Sequence, residues 1–218
     1  MAFNPKDYYF KQAKKQHYLA RSIFKLEEIH KKNRFFSKGD QVLDLGAAPG
    51  SWSQYACEQV GSNGKVLGID LKSIKLTLPN AKFIQGDILQ LDVEPLVTEY
   101  GFNPLFDVVM SDMAPKTTGV KATDQARSAE LCMMALKQAD LFLKKNGNFV
   151  CKFFQSDEFQ EFRSEMKKRF KKIDFLKPKS TRKQSTEIFI IGLGKLHNPE
   201  ESKVFYKSQD EENLENQN

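Results

Sequence analysis

Cysteine is scarce in this chain: Cys57, Cys132 and Cys151 are the only three in 218 residues, and no two form a CxxC pair. That spacing excludes a disulfide framework and a cysteine-based zinc site, and it suits a reducing cytoplasm. Histidine is as sparse, with His17, His30 and His197 far apart, so no metal centre is expected. No apolar run approaches the roughly 18 residues needed to cross a bilayer, and the first 15 residues are charged throughout. Neither a membrane span nor a secretory signal is expected. Also missing is the dinucleotide fingerprint G-x-G-x-x-G: "GAAPGSW" has two glycines four apart, with bulky Trp52 where a pyrophosphate-binding helix would begin. This counts against a nicotinamide or flavin enzyme.

Hydrophobic residues make up 40% of the chain, enough to bury a sizeable core. No repeat or long linker interrupts it. One domain is expected over residues 1–207, beginning with a basic helical segment (about 1–38), followed by an acidic, disordered tail over 208–218. The net charge of +6 hides an uneven distribution. Met1–Lys38 holds ten Lys/Arg against three Asp/Glu, and Arg163–Lys183 holds ten against two. Clustered cations release counterions when they meet phosphates, so these segments point to a polyanion, with nucleic acid foremost. Solvated helix faces would give the same composition. In "KDYYFKQAKKQHYLARSIFK" the cations alternate with aromatic rings, the mixture that contacts phosphates and stacks on exposed bases; for Tyr18 and Phe24 a place in the core is the simpler expectation.

The runs "QVLDLGA", "KVLGIDL", "AKFIQGD", "FDVVMSDM", "GNFVCKFF" and "TEIFIIGLG" read as strands buried on both faces, with "KIDFLK" as a further strand. "SWSQYACEQV", Pro95–Tyr100, Asp124–Lys144 and "SDEFQEFRSEMKKRF" carry helical spacing, several with Ser or Asp as caps. Such alternation predicts an α/β fold, a mostly parallel seven-stranded sheet with helices on both faces. Ligands of such sheets bind beyond the carboxyl ends of the strands. The first strand ends in the Gly46–Gly50 turn, the second in Asp70, the third leads to Asp87 and the fourth to Asp112. Any one of these aspartates is ordinarily a cap or a turn residue. Together they suit a ligand that offers hydroxyls, an amine and a positive centre, and that needs no phosphate cradle. S-adenosylmethionine fits that description.

"ARSIFKLEEI", "VLDLGAAPGSWSQ", "GIDL", "VVMSDMAPKTTG", "CKFF" and "STEIFIIG" follow one another as in the FtsJ-like ribose 2′-O-methyltransferases, which this chain resembles up to about Leu193. The resemblance implies a Rossmann-like S-adenosylmethionine-dependent methyltransferase fold, and it is closest to the bacterial type acting on a uridine of large-subunit ribosomal RNA. It further implies that Gly50 and Trp52 lie along the cofactor, that Asp70 binds its ribose, that Asp87 meets the adenine amine, and that Asp112 lies near the methionine moiety. Lys25, Asp112, Lys152 and Glu187 map onto the family's catalytic tetrad. Ser51 stands where the family often has another glycine, which matters only if its φ must be positive.

Two tetrad residues stand out without the resemblance. Lys152 interrupts the apolar "NFVCKFF" and Glu187 enters "STEIFIIG", so both are buried pairs, functional groups or solvated strand ends. Lys25 alone reads as a surface lysine. In-line methyl transfer depends mostly on orientation, and the 2′-hydroxyl needs a group to take its proton or aim its lone pair. Lys152 is the candidate base; a free lysine titrates near 10.4, so the role requires desolvation or a neighbouring cation such as Lys25, opposed by Asp112 and Glu187. RNA is the expected partner, as free rRNA or an assembled large subunit, and a monomer is expected. A transfer RNA substrate, a non-RNA methyl acceptor, a non-catalytic RNA-binding module and a nicotinamide enzyme remain as alternatives.

Overall fold

The computed structural model describes residues 5–199, apart from 89, 92 and 183; the acidic segment 208–218 lies outside the described residues. Two helices come first, α1 (Pro5–Lys15) and α2 (Ile23–Asn33). The basic segment is therefore a broken helix, with His17 at a φ of 61° in the break. Next come β1 (Gln41–Leu45), α3 (Ser51–Val60), β2 (Lys65–Asp70), β3 (Ala81–Gln85), α4 (Val93–Glu99) and β4 (Phe106–Ser111). α5 (Lys121–Phe142), β5 (Leu143–Phe154), α6 (Phe159–Arg169), β6 (Phe170–Leu176) and β7 (Glu187–Lys195) complete the order.

The seven strands form one sheet in the order β3-β2-β1-β4-β5-β7-β6. β1 to β5 pair in parallel, while β7 runs antiparallel to both β5 and β6. Strand order reverses between β1 and β4, where an open α/β sheet leaves its ligand crevice. Because Phe154 of β5 pairs with Glu187, the start of β7 shares the edge on which the parallel strands end.

Side chains alternate between two cores, apart from a register shift between Phe106 and Val108 in β4. Leu43, Leu45, Val109, Phe149, Cys151 and Phe153 pack toward α4, α5 and α6, whereas Val42, Val108, Met110, Val150, Phe189 and Ile191 pack toward α2 and α3. Period-2 geometry thus places Lys152 and Asp44 on the α2–α3 face, beside the N-terminal helices.

Three sequence expectations need correction. β3 is not buried on both faces; like β6, the other margin of the sheet and the further strand expected from "KIDFLK", it is largely half-exposed, and the two carry Lys82, Lys171 and Lys172, which blunt an open edge. Second, the helices lack the anticipated Ser and Asp caps. Gly50, at a φ of 111°, is the N-cap of α3, and Ser51 is its first, buried residue. α6 begins at Phe159 without a side-chain cap. Third, α5 starts three residues before Asp124, which from inside the first turn accepts N–H groups of Thr118 (2.7 Å) and Gly119 (3.3 Å). It stops at Phe142, where the chain turns into β5. Buried Lys195 donates to the carbonyls of Ala139 (2.9 Å), Asp140 (2.8 Å) and Leu143 (3.1 Å), satisfying acceptors that a helix end leaves open.

Candidate active site

The turn after β1 is held from the neighbouring strand. Asp70, the last residue of β2, accepts the N–H of Ala48 on one carboxylate oxygen (2.9 Å) and that of Lys72 on the other (2.8 Å). It ties two loops together, and each oxygen keeps lone-pair capacity for a further donor. Gly46 and Gly50 have φ of 74° and 111°, in the left-handed region that glycine tolerates. A Cβ at Gly46 would stand 2.5 Å from Cγ of Met113, and one at Gly50 would stand 2.7 Å from Cδ2 of Leu76. Ser51 has no positive φ; its hydroxyl meets that of Ser22 at 2.9 Å, so the departure from glycine is accommodated.

Sequence reasoning passed over Asp44. It is fully buried; one oxygen accepts the Ser53 hydroxyl at 2.6 Å, and the other has no partner among the described residues. Its carboxyl is raised to about 7, mainly by burial, against the Ser53 hydrogen bond that lowers it and with help from the charges of Asp112 and Asp70. Asp112 and Asp70 thus both lie within electrostatic reach of Asp44. A charge inside the apolar "QVLDLG" run was the available signal.

Two ion pairs stand at the same edge. Lys152 is 8% exposed, which rules out a solvated strand end. Its Nζ donates to Oδ1 of Asp112 (2.8 Å) and to the backbone carbonyl of Asp112 (2.6 Å). Lys25 of α2 meets Oε1 of Glu187 at 2.5 Å, with both side chains 12% exposed. Register joins the pairs. Lys152 sits opposite Phe189 in the β5–β7 ladder, and Nζ of Lys25 lies 5.8 Å from the centroid of the Phe189 ring. All four residues of the expected tetrad therefore converge, Lys25 included, although in sequence it reads as a surface lysine.

Trp52, expected along the cofactor, lies in the second core at the start of α3. It is 2% exposed, packs 5.7 Å from Phe189, and gives its indole N–H to the carbonyl of Ser22 (3.1 Å). The ring buttresses the wall from behind. Asp87 stands beyond β3, its carbonyl accepting N–H groups of Gln90 and Leu91 in a turn.

The sheet order with an antiparallel seventh strand, combined with a glycine turn and strand-end carboxylates, defines a class I S-adenosylmethionine-dependent methyltransferase. The chain belongs to the FtsJ-like methyltransferase family, which residues 18–195 match. It is 57% identical over 195 residues to the ribosomal RNA large subunit methyltransferase E of Bdellovibrio bacteriovorus, a match covering 89% of this chain and all of that protein. The protein of the same name from Desulfatibacillum aliphaticivorans is 49% identical over 191 residues, covering 87% of this chain and 91% of the relative. Among solved structures, a ribosomal RNA methyltransferase of Plasmodium falciparum superposes with a TM-score of 0.73 at 28% identity, covering 83% of this chain and all of that one. Members of the family use S-adenosyl-L-methionine. The site suits that group: a buried carboxylate oxygen without a partner and three convergent carboxylates await a cation with N–H and O–H donors, and glycines keep side chains out of the turn.

Proposed function

We propose that this chain methylates the 2′-hydroxyl of a ribose, on a uridine of large-subunit ribosomal RNA. The observation that carries the reading is the juxtaposition of the Lys152–Asp112 and Lys25–Glu187 pairs on one sheet face beside the glycine turn. The names of the relatives supply the class of RNA.

When bound, S-adenosylmethionine supplies a sulfonium-borne methyl group that is transferred in line to an oxygen. Gly50 and Trp52 would border it, Asp70 would accept from its ribose hydroxyls, Asp87 from its adenine amine, and Asp112 would lie by its methionine end. Lys152 takes the hydroxyl proton. Asp112 offers two acceptors to the Lys152 Nζ, which leaves the third position of the nitrogen to face the substrate hydroxyl. Lys25 and Glu187, held together over Phe189, orient the ribose and offset the charge that develops on its oxygen.

Incubation with labelled cofactor and large ribosomal subunits from a strain lacking this activity, followed by nuclease mapping, tests the reading. Label on one 2′-oxygen is expected, and Lys152→Ala should bind cofactor normally while transferring about 100-fold more slowly or worse. Label confined to transfer RNA, protein or small molecules would overturn the substrate; full turnover by the variant would overturn the role of Lys152.

A further inference from the structure

Alongside the catalytic pairs, where β6 ends, lies a groove of about 590 Å³, within the usual range of small-ligand sites. α1 and α2 form one wall, and the end of β6 with the following segment forms the other. Its apolar lining is Tyr9, Phe24 and Leu176, with the Tyr9 and Phe24 rings 5.5 Å apart. Four lysines border it. Lys31 is paired with Glu27 (2.6 Å) and Lys32 with Asp174 (2.7 Å). The other two are not neutralised: Lys177 donates to the carbonyl of Ser185 (2.7 Å), and no carboxylate among the described residues pairs with Lys179. Glu28, also lining the groove, accepts the backbone N–H groups of Lys179 (2.7 Å) and Ser180 (3.0 Å).

The groove connects to the catalytic pairs through cations. Arg21 donates to the carbonyl of Ser180 (3.0 Å) and lies within electrostatic reach of both Arg182 and Glu187. A recess lined by aromatic rings, with two lysines not paired to a carboxylate and with Glu28 taken up by backbone N–H groups, suits a planar ring carrying phosphate. We propose that it binds one nucleotide of the substrate RNA adjacent to the methylated residue, its base against Tyr9, which buried Phe24 backs, and its phosphate at Lys177 and Lys179. This inference rests on the RNA reading above. Aromatic rings take bases with little regard to sequence, and lysines take the phosphate as point charges.

The test pairs a double variant, Lys177→Ser with Lys179→Ser, with Tyr9→Leu, which keeps the apolar lining but removes the flat ring. For each, KM for large-subunit RNA should rise about tenfold, while kcat at saturating RNA and the calorimetric affinity for S-adenosylmethionine stay unchanged. In the double variant the slope of log KM against log salt should become shallower by about 1. Irradiated 4-thiouridine-substituted RNA should crosslink to Tyr9 or to residues 176–180. Methyl transfer to RNA with unaltered KM and salt slope in both variants, or crosslinks only elsewhere, would overturn the groove assignment alone. A wild-type protein that transfers no methyl to RNA would overturn the substrate reading and this inference with it.

Discussion

Asp44 is where a single buried charge has the clearest consequence. Its folded-state pKa is raised from 3.8 to about 7, chiefly by burial. A raised value means that the folded state holds the proton more tightly; the associated stability is present below about pH 4 and is lost as pH rises through about 7. Over that window Asp44→Asn should be progressively more stable than the wild type, as read by denaturant midpoints at pH 4 to 8. The same linkage acts on cofactor affinity. A cation bound near these three carboxylates favours ionised Asp44, so binding below pH 7 should release a proton and tighten by up to tenfold per pH unit. Calorimetry in buffers of differing ionisation enthalpy measures this directly; proton release unchanged in Asp44→Asn would exclude Asp44 as its source. Site legibility at this scale depended on contrast with the surroundings. Lys152 and Glu187 were visible as charges within apolar runs, and Asp44 was equally visible but lay inside a motif whose glycines drew the attention. Lys25 had no such contrast, because its helix also carries Glu27, Glu28, Lys31 and Lys32, and only the fold shows Glu187 reaching it.

At the scale of elements, the sequence was legible where one periodicity dominated. β1, β2 and β4 are short apolar runs with well-marked ends, and nearly all their residues are buried. Edge strands and helix starts were harder, because a strand with a single neighbour needs no second apolar face, and a start fixed by a glycine or from inside the helix shows no leading Ser or Asp. The end of α5 was hidden for another reason: its partner, Lys195, is more than fifty residues away. That lysine is 1% exposed and donates to the carbonyls of Ala139 and Asp140 in α5 and of Leu143 just after it. Lys195→Met keeps the volume but leaves the Asp140 and Leu143 carbonyls short of a donor, while Ala139 keeps the Leu143 N–H, which should cost on the order of 3 kcal/mol, or roughly 10 °C in Tm. These carbonyls belong to the end of α5, away from the edge that carries the carboxylates. Thermal unfolding should therefore change while calorimetric cofactor affinity does not; a parallel loss of both would show that the junction also supports the site.

Across the whole molecule, the two basic segments of the sequence are neither wholly together nor equivalent. The first, through α2, meets only the far end of the second: Lys32 pairs with Asp174, Glu28 receives the N–H groups of Lys179 and Ser180, and Arg21 holds the Ser180 carbonyl. The nearer half of the second segment serves the fold. Arg169 binds Asp140 (2.6 Å) and Glu165 (2.5 Å), Lys168 binds Glu165 (2.5 Å), and Lys171 donates to Asn146 (2.7 Å). Because α6 packs on the opposite sheet face and leads into the start of β6, these cations sit far from the edge that holds the catalytic pairs. Net charge alone would treat all of them as polyanion ligands, whereas the fold divides them by face and by edge. Since each phosphate contact contributes about −0.7 to the slope of log K against log salt for single-stranded RNA, the division can be measured. Lys171→Ser with Lys172→Ser should leave the salt slope of RNA binding within error of the wild type, whereas Arg21→Ser with Arg182→Ser should make it shallower by about 1. Equal effects from the two pairs would mean that RNA responds to overall charge rather than to this edge of the sheet.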